Sequence, residues 1–212
     1  GLVIFDEFHE RNIDSDLSLA LCLASRDLFR ETPLKILLMS ATLNGEALSK
    51  LLNGAPIIES QGRSFPVDIH HLTTPKKRGE KEVQFDFEAA FAAIHTAATK
   101  HEGNILVFLP GQYEINRLQK LLEERLPPNC YLAPLHGGLN QAEQRRAIAP
   151  ASNGESTRKI VLSTDIAETS LTIEGVNIVI DSGLCRRPEF DTRNAMTRLH
   201  TRRISAASAT QR

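Results

Sequence analysis

Leu2-Val3-Ile4-Phe5-Asp6-Glu7 is a short apolar run that ends in two acids. A run of this length without polar alternation suits a strand buried on both faces of a parallel sheet. Such a strand delivers the acids that follow it to the carboxyl edge of the sheet, where open α/β folds bind ligands. At that edge Asp6 can hold Mg²⁺, largely through water, and Glu7 can orient or deprotonate a water that attacks a γ-phosphate. Apolar strands ending in acidic loops are common, so these six residues raise the chemistry without fixing it.

Similar runs recur along the chain. Strands are expected at 2–5, 35–39, 56–59, 67–72, 104–109, 131–135, 159–163 and 176–181, with longer amphipathic stretches between them. That alternation is the pattern of βαβ units and an α/β fold with a mostly parallel sheet. Phe87, Ala90, Phe91, Ile94 and Ala98 fall at steps of three and four, as do Ile115, Leu118, Leu122 and Leu126, so each set forms one apolar helix stripe. Gly54-Ala55-Pro56 and Gly62-Arg63-Ser64-Phe65-Pro66 punctuate the chain, 75–81 reads as a solvated loop, and a domain boundary is expected near residue 62. Beyond Gly183 the helix pattern stops, and the run to Ser205, with Pro188 and Asp191-Thr192-Arg193-Asn194, suits an antiparallel hairpin. No repeat of fixed period is evident.

The composition excludes several classes. With 41% hydrophobic and 24% charged residues in 212, the chain has the makeup of a globular protein. A formal net charge of −1 argues against attachment to nucleic acid or membrane by bulk charge. That total is uneven: residues 1–62 carry five basic against nine acidic side chains, whereas 183–212 carry seven arginines against two acids. Cys22, Cys130 and Cys185 lack metal-ligand or paired spacing, which suits reduced thiols in a cytoplasmic protein. No run is long enough to span a membrane. The chain opens on an apolar strand without a leading Met, and is read as an internal piece of a longer protein.

Further motifs extend the opening one. Asp6-Glu7-Phe8-His9-Glu10-Arg11 resembles motif II of the DEAH-type superfamily 2 helicases, and Ser40-Ala41-Thr42 after the next strand resembles their motif III. Residues 105–112 with Glu114-Ile115 suggest motif IV, 163–173 resemble motif V almost residue for residue, and 204–212 resemble the approach to motif VI and its first two positions. Phe8, the segment 62–67 and the stretch 190–199 resemble a bacterial branch of the family. The resemblance implies an ATP-dependent RNA helicase core of RecA-like α/β domains. Residues 1–62 would be the C-terminal part of the first domain, and 63–212 most of the second. ATP and Mg²⁺ would lie in the cleft, with single-stranded RNA running across both domains. The remainder of the polypeptide would supply the P-loop upstream, and the rest of motif VI and the C-terminal domains downstream.

By that resemblance Asp6 and Glu7 are the Mg²⁺ carboxylate and the catalytic base, and His9 couples motif II to the second domain. His9 could equally be a helix-start histidine bonded to backbone. Ser40 and Thr42 would link hydrolysis to domain movement, or simply cap a strand end. Thr164 would bind an RNA phosphate at the start of a short helix spanning 166–171. Thr172, Glu174 and Gln211 would face the nucleotide; relatives commonly carry Asp where this chain has Glu174. Gly111 and Gln112 could offer backbone donors to RNA, or form a plain helix N-terminus. Arg187 and its neighbours in the hairpin could contact phosphates, or decorate a solvated surface.

No GxxxxGK[ST] motif, the backbone cradle a P-loop NTPase needs, occurs in these residues, so the isolated segment is expected not to turn over ATP. Two other readings stay open: a DNA-directed motor, because backbone-binding motifs hardly distinguish RNA from DNA, and a non-catalytic RNA-binding scaffold, against which the intact Asp6-Glu7 pair argues.

Overall fold

The computed structural model describes residues 1–26, 28, 31–40, 45–60, 65–72, 84–150, 157–168 and 173–212. The chain divides into two compact units, Gly1–Leu72 with Gln211, and Thr73–Thr210 with Arg212. The boundary expected near residue 62 falls in 61–64, outside the described residues.

The first unit holds β1 (Leu2–Phe5), a 3₁₀ turn (Phe8–Glu10), α1 (Ile13–Ala24), β2 (Lys35–Leu38) and α2 (Gly45–Leu51). β1 and β2 pair in parallel, with Leu2 opposite Lys35 and Phe5 opposite Leu38. The Asn12 side chain accepts from the Asp14 amide and caps α1. The strands expected at 56–59 and 67–72 are absent: both stretches are irregular. Pro56 and Pro66 lack the amide a ladder needs, and Ile58 and Val67 stand 90% and 78% exposed, with no strand paired to either stretch among the described residues.

The second unit contains α3 (Phe87–Lys100), β3 (Asn104–Phe108), α4 (Gln112–Glu123), β4 (Cys130–Leu135), α5 (Gln141–Ile148), β5 (Arg158–Ser163), a 3₁₀ turn (Asp165–Ala167) and β6 (Val176–Asp181). Strands β3 to β6 form one parallel sheet, in the order β4-β5-β3-β6. The period-two rule sorts the central strands between two layers. Ile105, Val107, Ile160 and Leu162 pack with Ile94 of α3 and with Ile115, Leu118 and Leu122 of α4. Leu106, Phe108 and Val161 pack with Ala133, Leu135 and Ala147 on the other face. Asp86 caps α3, and Asn140 with Glu143 closes a reciprocal capping box on α5.

The expected hairpin forms from β7 (Leu184–Asp191) and β8 (Met196–Arg203), with Arg187 opposite His200 and Glu189 opposite Arg198. A short helix follows it, α6 (Ala206–Gln211), capped by Ser205. This corrects the expectation that helix ends at Gly183: a run of small residues has no apolar stripe, and its cap is its one local signal. At Gly103 the backbone takes φ +94°, and a Cβ would come within 2.8 Å of Asn177, so glycine is required where β3 begins.

Candidate functional site

In the first unit the two acids stand where the sequence put them. Asp6 follows β1 directly, and its Oδ1 accepts the Glu7 amide at 2.9 Å. Glu7 adopts a left-handed backbone, φ 50° and ψ 37°, which turns the chain sharply off the strand. Non-glycine residues take this conformation at a cost, and such strain gathers at functional positions. The turn is pinned to the neighbouring strand, since the Phe8 amide donates to Met39 O at 3.0 Å and the Met39 amide to Phe5 O at 2.8 Å. Ser40 is thereby held at the same carboxyl edge as Asp6 and Glu7. His9 is buried, and its Nδ1 lies 3.4 Å from Glu7 Oε2 without forming a hydrogen bond. Thr42 lies outside the described residues.

Asp6 is exposed and Glu7 partly so. No group of three or more His, Cys, Asp or Glu placed to hold a metal occurs among the described residues. A carboxylate pair of hard oxygens suits Mg²⁺, which keeps most of its waters and completes its shell with substrate phosphates.

In the second unit the carboxyl edge carries Gly111 and Gln112 beyond β3, His136 beyond β4 and Thr164 beyond β5. Gly111 is the N-cap of α4, and Gln112, its first residue, is exposed. Thr164 opens the 3₁₀ turn, its amide donating to Leu135 O at 3.2 Å while its hydroxyl makes no capping bond. Of the short helix expected at 166–171, Ile166 and Ala167 lie in a 3₁₀ turn (Asp165–Ala167), whereas 169–172, including Thr172, lie outside the described residues. Glu174 is exposed at the opposite edge of the sheet, since the next residue, Gly175, accepts the Asn104 amide at the start of β3. The sheet therefore does not bring Glu174 and Thr164 together. Arg187 is exposed on β7, and Gln211 ends α6.

Three contacts at this edge were not read from the sequence. Arg186 Nη2 donates to Glu114 Oε1 at 2.9 Å, and a Cβ on Gly111 would come within 3.0 Å of the same arginine. The signal available was Glu114, an acid three residues into the motif IV helix on its apolar side. His136 Nδ1 accepts the Gly138 amide at 3.2 Å; burial holds its pKa below the ordinary 6.5, with Glu143 opposing. Arg212, its side chain 2% exposed, pairs with Glu168 and Asp181, each at 2.8 Å, over the Phe108 ring. It joins the middle of motif V to the end of β6.

Residues 86–203 match the family described as the helicase conserved C-terminal domain. This chain belongs to that family. The helicase C-terminal domain here is the four-stranded sheet, its helices and the hairpin, and its parallel α/β architecture is the RecA-like fold the resemblance implied. Over 212 residues the chain is 46% identical to the ATP-dependent RNA helicase HrpB of Escherichia coli, covering all of this chain and 25% of that protein. It is 35% identical to the Escherichia coli ATP-dependent RNA helicase HrpA, covering 99% of this chain and 16% of that protein. A crystal structure of the Escherichia coli DEAH/RHA helicase HrpB matches with a TM-score of 0.84 at 45% identity, covering 100% of this chain and 26% of the solved one. The chain thus spans about a quarter or less of the curated relatives it matches.

Proposed function

We propose that this chain is the motif II to motif VI segment of an ATP-dependent RNA helicase, a cytoplasmic motor that hydrolyses ATP to move along or unwind RNA. The observation that carries the reading is the 46% identity, across every residue of the chain, to a protein named as an ATP-dependent RNA helicase. Residues 1–62 are the C-terminal part of the first RecA-like domain, and 63–212 are most of the second.

Glu7 is the general base that orients the attacking water. Asp6, with Glu7 beside it, presents carboxylate oxygens to Mg²⁺, which when bound neutralises phosphate charge. His9, Thr172, Glu174 and Gln211 complete the nucleotide contacts, and Ser40 and Thr42 couple them to movement. Thr164, Gly111, Gln112 and Arg187 contact the RNA backbone, the first three through hydroxyl or amide donors at strand and helix ends. The strained turn at Glu7 and the Thr164 hydroxyl, which makes no capping bond, favour these assignments.

The test is phosphate release by the full-length parent with and without single-stranded RNA. RNA is expected to stimulate it, and Glu7→Gln to lower it by about 100-fold or more, the usual contribution of a general base. The isolated 212 residues are expected to release no phosphate. Stimulation by DNA as strong as by RNA would favour a DNA motor, and full ATPase in Glu7→Gln would leave only a scaffold role.

A further inference from the structure

The β7–β8 hairpin leaves the body of the second unit through a narrow base. There the Ile204 amide donates to Gly183 O at 3.0 Å, and Leu184 and Cys185 are buried. Past this point the two strands pack chiefly on each other, and most of their side chains are exposed. Arg186 stands at the exit from the base and reaches back into the body to Glu114. Side chains alternate along a strand, so Arg186 occupies one face of the hairpin while Arg187, with His200 opposite it and Arg198 two residues before His200 on β8, occupies the other.

The Arg186–Glu114 contact has the marks of a built slot. Glu114 is 6% exposed, at the third position of α4, and its Oε2 is buried without a hydrogen-bond partner. Arg186 is therefore the cation that compensates a carboxylate withdrawn from water, and separating the two would strand a buried charge. Gly111 leaves room for the guanidinium, since any side chain there would meet Arg186 Cδ and Nη1 at 3.0 Å. One slot thus joins the head of the motif IV helix to the root of the hairpin.

We infer that Glu114 and Arg186 are positioning residues that fix the angle of the hairpin against the head of α4, so that movement of the second unit is passed to the RNA instead of being lost at the hairpin's root. The inference rests on the RNA-helicase reading above. Leverage is what makes the pair matter. Asp191, at the end of β7, lies five residues beyond Arg186, about 17 Å at strand spacing, so a swing of about 10° moves it by about 3 Å.

The experiment uses the full-length parent and measures strands separated per ATP consumed, beside RNA-free ATPase and RNA affinity. Arg186→Met alone leaves a bare buried carboxylate and can fail to fold, so the decisive variant is the double Glu114→Gln with Arg186→Met, which removes the tie without burying an unpaired charge. Its expected result is an about tenfold loss of unwinding per ATP with RNA-free ATPase unchanged, and recovery of most of that loss in Arg186→Lys with Glu114 intact. Wild-type unwinding per ATP in the double variant overturns the proposal. So does a fall of RNA-free ATPase by the same factor, which would make the pair a plain support of the fold. If the wild-type parent shows no RNA-stimulated ATPase, the helicase reading itself fails and takes this inference with it, an outcome distinct from the other two.

Discussion

His136 joins burial, a specific acceptor role and a titratable ring in one residue. Its Nδ1 accepts the Gly138 amide, which requires that nitrogen to be unprotonated, and burial disfavours the cation more than Glu143 favours it. The folded pKa is therefore below the ordinary 6.5 that the unfolded chain keeps. As pH falls below 6.5 the unfolded state takes up a proton that the folded state refuses, so stability drops until the folded pKa is passed. The slope from this one group approaches about 1.4 kcal/mol per pH unit. Urea unfolding from pH 7.5 to 5 should show it, and His136→Asn, whose Oδ1 can accept the same amide, should lose less stability over that range than the parent sequence. Nothing in His136-Gly137-Gly138 as a string reveals this, because the burial comes from elements distant in sequence.

At the scale of elements, neighbouring residues on β5 hold two helices on opposite sides of one sheet. Arg158 shares a face with Ile160, and its guanidinium reaches Ala97 O and Ala98 O at the end of α3 as well as Gly103 O. Lys159 shares the other face with Val161, and its Nζ donates to Ala147, Ile148 and Ala149 O at 3.0, 3.4 and 2.6 Å, closing the end of α5. Cations suit helix C-termini, where carbonyls lack partners. Lys159 is fully buried, and burial lowers its pKa from the ordinary 10.5. Lys159→Met keeps the volume but leaves those carbonyls bare, and should lower stability by about 2 kcal/mol in urea unfolding. The sequence located β5 through its apolar residues but not this capping role, which depends on which helix the sheet sets beside each face. The same limit explains 56–59 and 67–72: apolar composition identified extended chain, whereas a strand also needs a partner, and partners are not local. β3 and β5 were legible because strands buried from both sides carry continuous apolar runs, and the edge strand β6 because Val176, Ile178 and Ile180 alternate with exposed residues.

For the molecule as a whole, the parallel α/β class was legible from the alternation of strands and helices and its RecA-like character only through the resemblance of the motifs, while the positions of half the candidate site residues followed from their standing directly after strands. Asp6, Glu7 and Ser40 share one edge because β1 and β2 run parallel, and Gly111 and Thr164 share another because β3 and β5 do. Glu174 was not placed by such a rule, since it precedes its strand. The total charge also conceals how the arginines differ. Of the seven arginines in 183–212, Arg186, Arg202 and Arg212 meet carboxylates, while Arg187, Arg193, Arg198 and Arg203 have no carboxylate partner among the described residues. Those four, more than the total charge, are the cations available to a polyanion.

The strand order β4-β5-β3-β6 carries a consequence for the path by which the second unit assembles. β5 sits between two strands that both precede it in the chain, so β3 and β4 can emerge, and α3, α4 and α5 can form around them, without any sheet existing to join them. Closure waits for the insertion of one late segment, and non-local pairing of this kind is slow and leaves apolar edges open meanwhile. A chain stopped at residue 157 should therefore show no slowly exchanging amides in β3 or β4, while one extended through residue 182 should protect both. Hydrogen exchange on the two lengths would read this directly, and protection in the shorter chain would show that the sheet nucleates without its central strand.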